Sequence, residues 1–285
     1  MAPREPLPAC AELVRRDDPD RYFCDLMAPP ACREGLLALH AFELELARIP
    51  DRVSEPMLGA IRLQWWRESL DGIAAGTPRR HEVVLPLAAA IDRGGLEPAL
   101  LHRMIDAWDE TLAREDAPDL ADIEGHHREA GGTANLAALR LLGGPALDGA
   151  MVERAAGEAA LAVGLTAMLL HGADQARRGK RVLPRDVLAR HGLDLGSMLD
   201  RERDARMRQA TEELALRAGG HVDAARKLAR SLPPGVRSAL LPVAFASADL
   251  ARLRCCGHDL FDPRLQHRGI GRQLRVLVRA FFGRI

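Results

Sequence analysis

An all-α fold follows from the sequence on three observations. Ala, Leu, Arg and Glu, all good helix formers, dominate the 285 residues. Aromatic residues make up only 4%, and β-branched residues nowhere alternate with polar ones over the length of a strand. Apolar residues recur at three- and four-residue spacing in segment after segment. With 47% apolar residues, no Ser/Gly-rich linker and no repeat of fixed period, a single helical domain over residues 1–285 is expected.

The elements are expected in this order. After the breaker Pro29-Pro30, a helix runs from Ala31 to Ile49. A second starts at Ser54-Glu55-Pro56, with Ser54 as N-cap and Pro56 in the first turn, and reaches Ala75. A third covers Glu97 to Arg114, and a fourth runs from His126 to Leu142 before Gly143-Gly144. The fifth, Met151 to Leu170, holds an uncharged apolar run from Ala159 to Leu170. That run is about half of the ~20 residues a membrane span needs, so a buried core helix is expected. Gly179 to Gly192 reads as a loop and a short helix. Helices over 201–218, 221–231 and 235–253 follow, and a last one covers Gly271 to Phe282.

Bulk properties exclude several classes. Lys plus Arg equals Asp plus Glu at 40 each, which argues against a nucleic-acid protein held by bulk charge. The five cysteines are odd in number and form no CxxC, as expected of reduced thiols rather than a disulfide frame or zinc site. The segment MAPREPLPAC has no apolar core of a secretory signal, so a cytoplasmic protein is expected.

Five stretches could carry chemistry. In HAFELELARIPD, Glu43, position 47 and Asp51 would share one helix face, and an i, i+4 carboxylate pair could hold Mg²⁺. Position 47 is alanine, however, and Pro50 takes Ile49 and Asp51 off the helical line. Glu45 and Arg48 are spaced to pair, so a salt-bridged face fits the same residues. In RLQWWRESLDGI, Arg62 and Arg67 flank Trp65 and Trp66, which cannot both point the same way; one core and one cavity-edge tryptophan fit the pattern, and ordinary packing of an amphipathic helix fits it equally. In HGADQARRGKRVLP, His171, Asp174 and Gln175 end an apolar helix, and Arg177, Arg178, Lys180 and Arg181 follow. Such a loop suits an anion on an apolar tail, and equally a helix C-terminus that favours cations. In EGHHREAGGTANL, adjacent His126 and His127 face different ways and make a poor metal pair, while Gly131 and its small neighbours suit close helix approach or room for a ligand. The C-terminal GRQLRVLVRAFFGRI sets Arg272, Arg275 and Arg279 beside Phe281 and Phe282, which fits an anionic membrane surface or a helix docked on the core.

Taken together, these segments resemble the squalene/phytoene synthase family, well over Arg21 to Pro184 and weakly beyond. The resemblance implies an isoprenoid-synthase helical bundle around a central cavity. Active members of that family join two prenyl diphosphates head to head, using Mg²⁺ on two Asp-rich motifs. The first motif, Asp-x-x-x-Asp, falls on Ala47 to Asp51 and has lost its first aspartate. The second, Asp-x-x-Glu-Asp, falls on His171 to Gln175 and keeps only Asp174. Neutral imidazole is a poor Mg²⁺ ligand. The pattern FELELAR, followed by Ser-Glu-Pro and RLQWWR, is most similar to the branch holding the mitochondrial complex I assembly factor and its bacterial relatives.

What the resemblance implies is a prenyl- or lipid-binding, non-catalytic factor that assists a membrane complex. The alternative is an active head-to-head prenyltransferase. No cofactor is expected unless Asp51, Asp174, Glu43 and Glu45 still hold Mg²⁺. Arg62, Arg67, Arg177, Arg178 and Lys180 are the expected diphosphate ligands. Phe42, Trp65, Trp66, Gly131, Met168 and His171 are the expected cavity residues. The expected partners are a prenyl diphosphate or other lipid, a membrane-complex subunit and the inner-membrane surface.

Overall fold

The computed structural model describes residues 8–265, apart from 54, 115, 145–146, 148, 179–182 and 195–204, together with 273 and 276. Among the described residues there is no strand. The chain opens with two helices that were not expected, α1 (Ala9–Asp17) and α2 (Pro19–Leu26). Asp18 separates them: its side chain caps α2 by accepting from the Arg21 amide at 2.9 Å, and Pro19 fills the first helical position. The pattern behind them is short and charged, too brief for a periodicity test. Next come α3 (Pro30–Ala47), the single turn α4 (Ile49–Arg52) and α5 (Pro56–Ala74). The expected N-cap Ser54 lies outside the described residues.

A further unexpected helix, α6 (Val84–Asp92), precedes α7 (Pro98–Leu112). The next, α8 (Leu120–Gly143), starts six residues before the expected His126. A capping box explains the earlier start. Asp119 accepts from the Asp122 amide at 2.9 Å, and Asp122 accepts from the Asp119 amide at 3.0 Å. Its partner α9 (Ala150–Arg177) runs seven residues past Leu170 and reaches the first of the expected basic residues, Arg177.

After α10 (Arg185–Arg190), one continuous α11 (Ala205–Ala229) replaces two expected helices. Gly219 and Gly220 cost propensity there but keep helical backbone, since neither has positive φ. The expected helix 235–253 is divided into a 3-10 turn (Pro234–Leu240) and α12 (Pro242–Cys255), because Pro242 lacks the N–H a continuous helix would use. A last 3-10 turn covers Pro263–Leu265. The C-terminal helix call lies outside the described residues, save for helical Gln273 and buried Val276.

The fold is organised around α9, which packs against α8, α11 and α12. Small residues bring α8 and α9 close. A Cβ on Gly132 would stand 3.3 Å from the Gly157 Cα, and one on Gly131 would stand 3.3 Å from the Ala160 Cβ. By length and composition α9 could cross a membrane, yet 61% of its most apolar window is buried inside the protein. One apolar cluster gathers Leu39, Phe42, Leu63, Trp66, Met104 and Leu139. A second gathers Leu165, Leu169, Val187, Met207 and Leu253, and the two meet at Leu250.

A polar network is buried where α2, α3 and α8 meet. Asp25 pairs with His40 Nδ1 at 2.8 Å. Arg21 donates to Asn135 Oδ1 at 3.2 Å, and Asn135 donates to the Ala156 carbonyl at 3.1 Å. Burial works against the Arg21 charge, but the fields of Glu43, Asp18 and Asp25 outweigh it and raise the guanidinium pKa. Glu43 is therefore part of the environment of a buried cation.

Candidate functional site

A cavity of about 850 Å³ lies between α7, α8 and α9. From α7 it is lined by Trp108 and Thr111, from α8 by Ile123, His126 and His127, and from α9 by Gly164, Met168, His171 and Gln175. Each side chain is placed by a local requirement. The His127 ring lies against bare backbone at Gly164, where a Cβ would fall 2.5 Å from Nδ1 and 2.6 Å from Cγ. No other residue type leaves that space. His126 meets the Trp108 ring edge-on, with centroids 4.4 Å apart. Its Nδ1 is 2.8 Å from Thr111 Oγ1, and that hydroxyl donates to the Ala107 carbonyl at 3.0 Å.

Both histidines are biased to the neutral form. Burial lowers the pKa of His126, with the Ala107 carbonyl opposing. Burial, and then the nearby His126, lower that of His127 to about 4 against the pull of Glu124. At neutral pH the cavity thus presents two uncharged imidazoles beside apolar Trp108, Ile123 and Met168, with Glu110, Arg114, Asp116, Asp122, Arg128 and Glu129 also on its border. That arrangement can hold an apolar molecule and hydrogen-bond its polar end.

A second, smaller cavity of about 270 Å³ is lined by Glu45, Ile49, Arg52, Arg62, Trp65, Trp66 and His81. Trp66 is buried and meets Phe42 edge-on at 5.1 Å, while half-buried Trp65 carries Arg79 over its face at 5.2 Å. The division into one core and one edge tryptophan holds, although both touch this small cavity.

The expected site residues therefore separate. Met168 and His171 line the larger cavity, and Trp65 and Trp66 the smaller. Phe42 lines neither, because it is fully buried in the core beneath Trp66. Gly131 lines neither, because it serves the close approach of α8 and α9. Arg67 is bound by Asp106 at 2.8 Å and Asp109 at 2.9 Å, so its fork is already filled. Arg178 pairs with Asp174 at 2.8 Å one turn back on α9, and Arg177 is exposed beside it. Arg62 borders the smaller cavity and has no ion pair among the described residues. Lys180 lies outside the described residues. None of the described arginines expected to meet a diphosphate lines the larger cavity.

The carboxylates do not form a Mg²⁺ site either. Glu45 faces Arg48 at 2.6 Å and Arg52 at 3.6 Å, as its spacing implied. Asp51 sits in α4, off the α3 line, and borders neither cavity. Glu45 borders the small cavity, whereas the second-motif positions His171 and Gln175 border the large one. Among the described residues no three His, Cys, Asp or Glu side chains cluster as metal ligands would. Glu45 and Asp174 neutralised by arginine, and an Asp51 that shares no cavity with the second motif, do not fit a hard cation that needs clustered oxygen donors.

Sequence reasoning passed over Trp108, Thr111 and Gly164, and treated His126-His127 only as a poor metal pair. Their signal was distributed: Trp108 and Thr111 on one helix, adjacent histidines on the next, and a glycine in an Ala/Leu-rich third. Only the packing brings these together.

Residues 14–271 match the squalene/phytoene synthase family model. The chain is 27% identical over 272 residues to the mouse protein "NADH dehydrogenase (ubiquinone) complex I, assembly factor 6", covering 95% of this chain and 81% of that protein. Its human counterpart is also 27% identical, over 259 residues, covering 91% of this chain and 77% of that protein. Among solved structures, a dehydrosqualene synthase in complex with ligand superposes with a TM-score of 0.79 at 17% identity, covering 96% of this chain and 94% of that one. Squalene synthase HpnC from Alicyclobacillus acidocaldarius superposes with a TM-score of 0.75 at 20% identity, covering 88% and 93%. The family model spans nearly the whole helical core just described, and the chain belongs to the squalene/phytoene synthase family.

Proposed function

We propose that this protein is a lipid-binding, non-catalytic factor that assists assembly of a membrane-bound NADH dehydrogenase complex. The observation that carries this reading is the larger cavity. It lies beside the family's second motif, but neutral histidines and apolar side chains line it together with more carboxylates than guanidinium groups, and the expected arginines do not. Head-to-head prenyl transfer must stabilise a departing diphosphate of about three charges, which in this family falls to Mg²⁺. Ala47, His171 and Gln175 remove most of the donors for that ion. The assembly role is taken from the relatives named above, which share the sequence across most of both chains. Attachment to the membrane surface through Gly271 to Ile285 belongs to the same reading and rests on sequence alone.

One experiment separates this from the prenyltransferase reading. The host's chromosomal copy is deleted, and NADH dehydrogenase assembly is followed on native gels. In parallel, the purified protein is incubated with Mg²⁺ and farnesyl or geranylgeranyl diphosphate. The expected outcome is loss of assembled complex together with no squalene or phytoene from the purified protein. Steady product formation, with normal assembly in the deletion strain, would replace this reading with the enzyme one.

A further inference from the structure

The larger cavity carries a hydrogen-bond polarity that selects among lipids. The Thr111 hydroxyl has one proton, and it goes to the Ala107 carbonyl oxygen at 3.0 Å. Thr111 Oγ1 must then accept from the group 2.8 Å away, so the proton of the His126 ring sits on Nδ1. A neutral imidazole protonated at Nδ1 has its lone pair on Nε2. That nitrogen has no protein partner among the described residues. The cavity's free imidazole nitrogen on this ring is therefore an acceptor, and the complementary ligand group is a donor.

Charge narrows the choice further. Four carboxylates, Glu110, Asp116, Asp122 and Glu129, border the cavity against two guanidinium groups, Arg114 and Arg128. Arg114 is taken by Asp122 at 2.7 Å, and Glu129 is taken by Arg103 at 3.1 Å. Among the described residues this leaves Glu110 and Asp116 against Arg128, an acidic balance that repels a phosphorylated head.

We propose that the cavity binds an uncharged lipid ending in a hydroxyl group, with the O–H donating to His126 Nε2 and the apolar chain lying along Trp108, Ile123 and Met168. This rests on the lipid-binding reading above and narrows it: a prenyl diphosphate is the wrong charge, and an ether or hydrocarbon lacks the donor.

Farnesol, farnesyl methyl ether and farnesyl diphosphate share one tail and differ only at the head. Their dissociation constants for the full chain are measured by tryptophan fluorescence in EDTA. Farnesol is expected to bind about tenfold more tightly than the ether, the worth of one net hydrogen bond, and at least as far ahead of the diphosphate. His126→Phe, which keeps an aromatic ring beside Trp108, is expected to remove the advantage of farnesol over the ether and leave ether binding unchanged. Nitrogen-15 NMR of the unmutated protein reads the tautomer directly and needs no variant; Nδ1–H is expected. Equal binding of ether and alcohol, a preference for the diphosphate, or an Nε2–H tautomer overturns the hydroxyl assignment while the lipid-binding reading stands. No binding of any of the three overturns both.

Discussion

One added methyl group tests the wall of the cavity. In Gly164→Ala two effects oppose each other. Replacing a helical glycine by alanine gains about 1 kcal/mol in propensity. The new Cβ, however, would lie 2.5, 2.6 and 2.7 Å from Nδ1, Cγ and Cε1 of His127. Cγ is held close to the backbone, so a small bend of a flexible tip does not clear the contact, and the whole ring must move. Overpacking of this kind costs typically about 1–3 kcal/mol. The clash should win, and Gly164→Ala is expected to destabilise the protein by up to about 2 kcal/mol. In a His127→Ala background the ring is gone, only the propensity gain remains, and the same change should stabilise by about 1 kcal/mol. Urea unfolding of the four proteins closes a double-mutant cycle with an expected coupling of about 1–3 kcal/mol, provided the m-values agree. If Gly164→Ala stabilises both backgrounds equally, the His127 ring does not rest on residue 164, and the description of the cavity wall is wrong.

Two further outcomes are expected. His127 has its pKa lowered to about 4 from an ordinary 6.5, so the unfolded chain binds its proton first as pH falls. The stability this gives is fully present above pH 6.5 and is lost as pH drops toward 4. Relative to His127→Phe, the protein should therefore lose about 2–3 kcal/mol between pH 7.5 and 4.5 in denaturant titrations. A parallel pH profile for the two proteins would show that the imidazole is not held neutral. Separately, removal of Gly271 to Ile285 takes away Arg272, Arg275, Arg279 and Arg284. At about 1 kcal/mol for each basic residue near an anionic surface, partitioning onto phosphatidylserine vesicles should fall about a thousandfold in flotation. Unchanged flotation of a folded truncated protein would rule out this helix as the anchor.

The helical class was legible because it depends on composition and period alone, and both are averaged over many residues. Element ends depend on single side chains, and there the record is uneven. Pro30 and Pro56 mark their helix starts. The start of α8 was placed at His126 although Asp119 and Asp122 form its capping box, since two aspartates three apart were not read as a cap. The paired glycines 219 and 220 look like a break, yet α11 runs through them because Val222 and Ala225 on one side, and Leu214 and Ala218 on the other, are anchored in buried positions. Tertiary burial there outweighs a local propensity cost of about 2 kcal/mol for two glycines.

The site was legible in a different way: absences showed, and their consequences did not. Ala47, His171 and Gln175 stand where the family's two motifs carry carboxylates. It was natural to keep the arginines as diphosphate ligands, because a basic cluster in sequence suggests a basic cluster in space. The structure instead holds two of them in ion pairs on separate elements, Arg67 across to α7 and Arg178 back along α9, and sets Arg62 at the smaller cavity. This has a physical logic. A cavity that receives a Mg²⁺-bound diphosphate needs carboxylates and guanidinium groups facing one space, each compensating the other only when the ligand is present. Once the cation's ligands are gone, unpaired arginines at such a cavity would carry a desolvation cost with no partner. Pairing Arg67 and Arg178 with carboxylates away from the larger cavity, and leaving neutral imidazoles at its wall, removes that cost for those two. Ala47, His171 and Gln175 and the neutrality of His126 and His127 thus point the same way, toward a cavity that meets its occupant with neutral imidazoles beside the charged side chains of Glu110, Arg114, Asp116, Asp122, Arg128 and Glu129, and without the family's motif carboxylates.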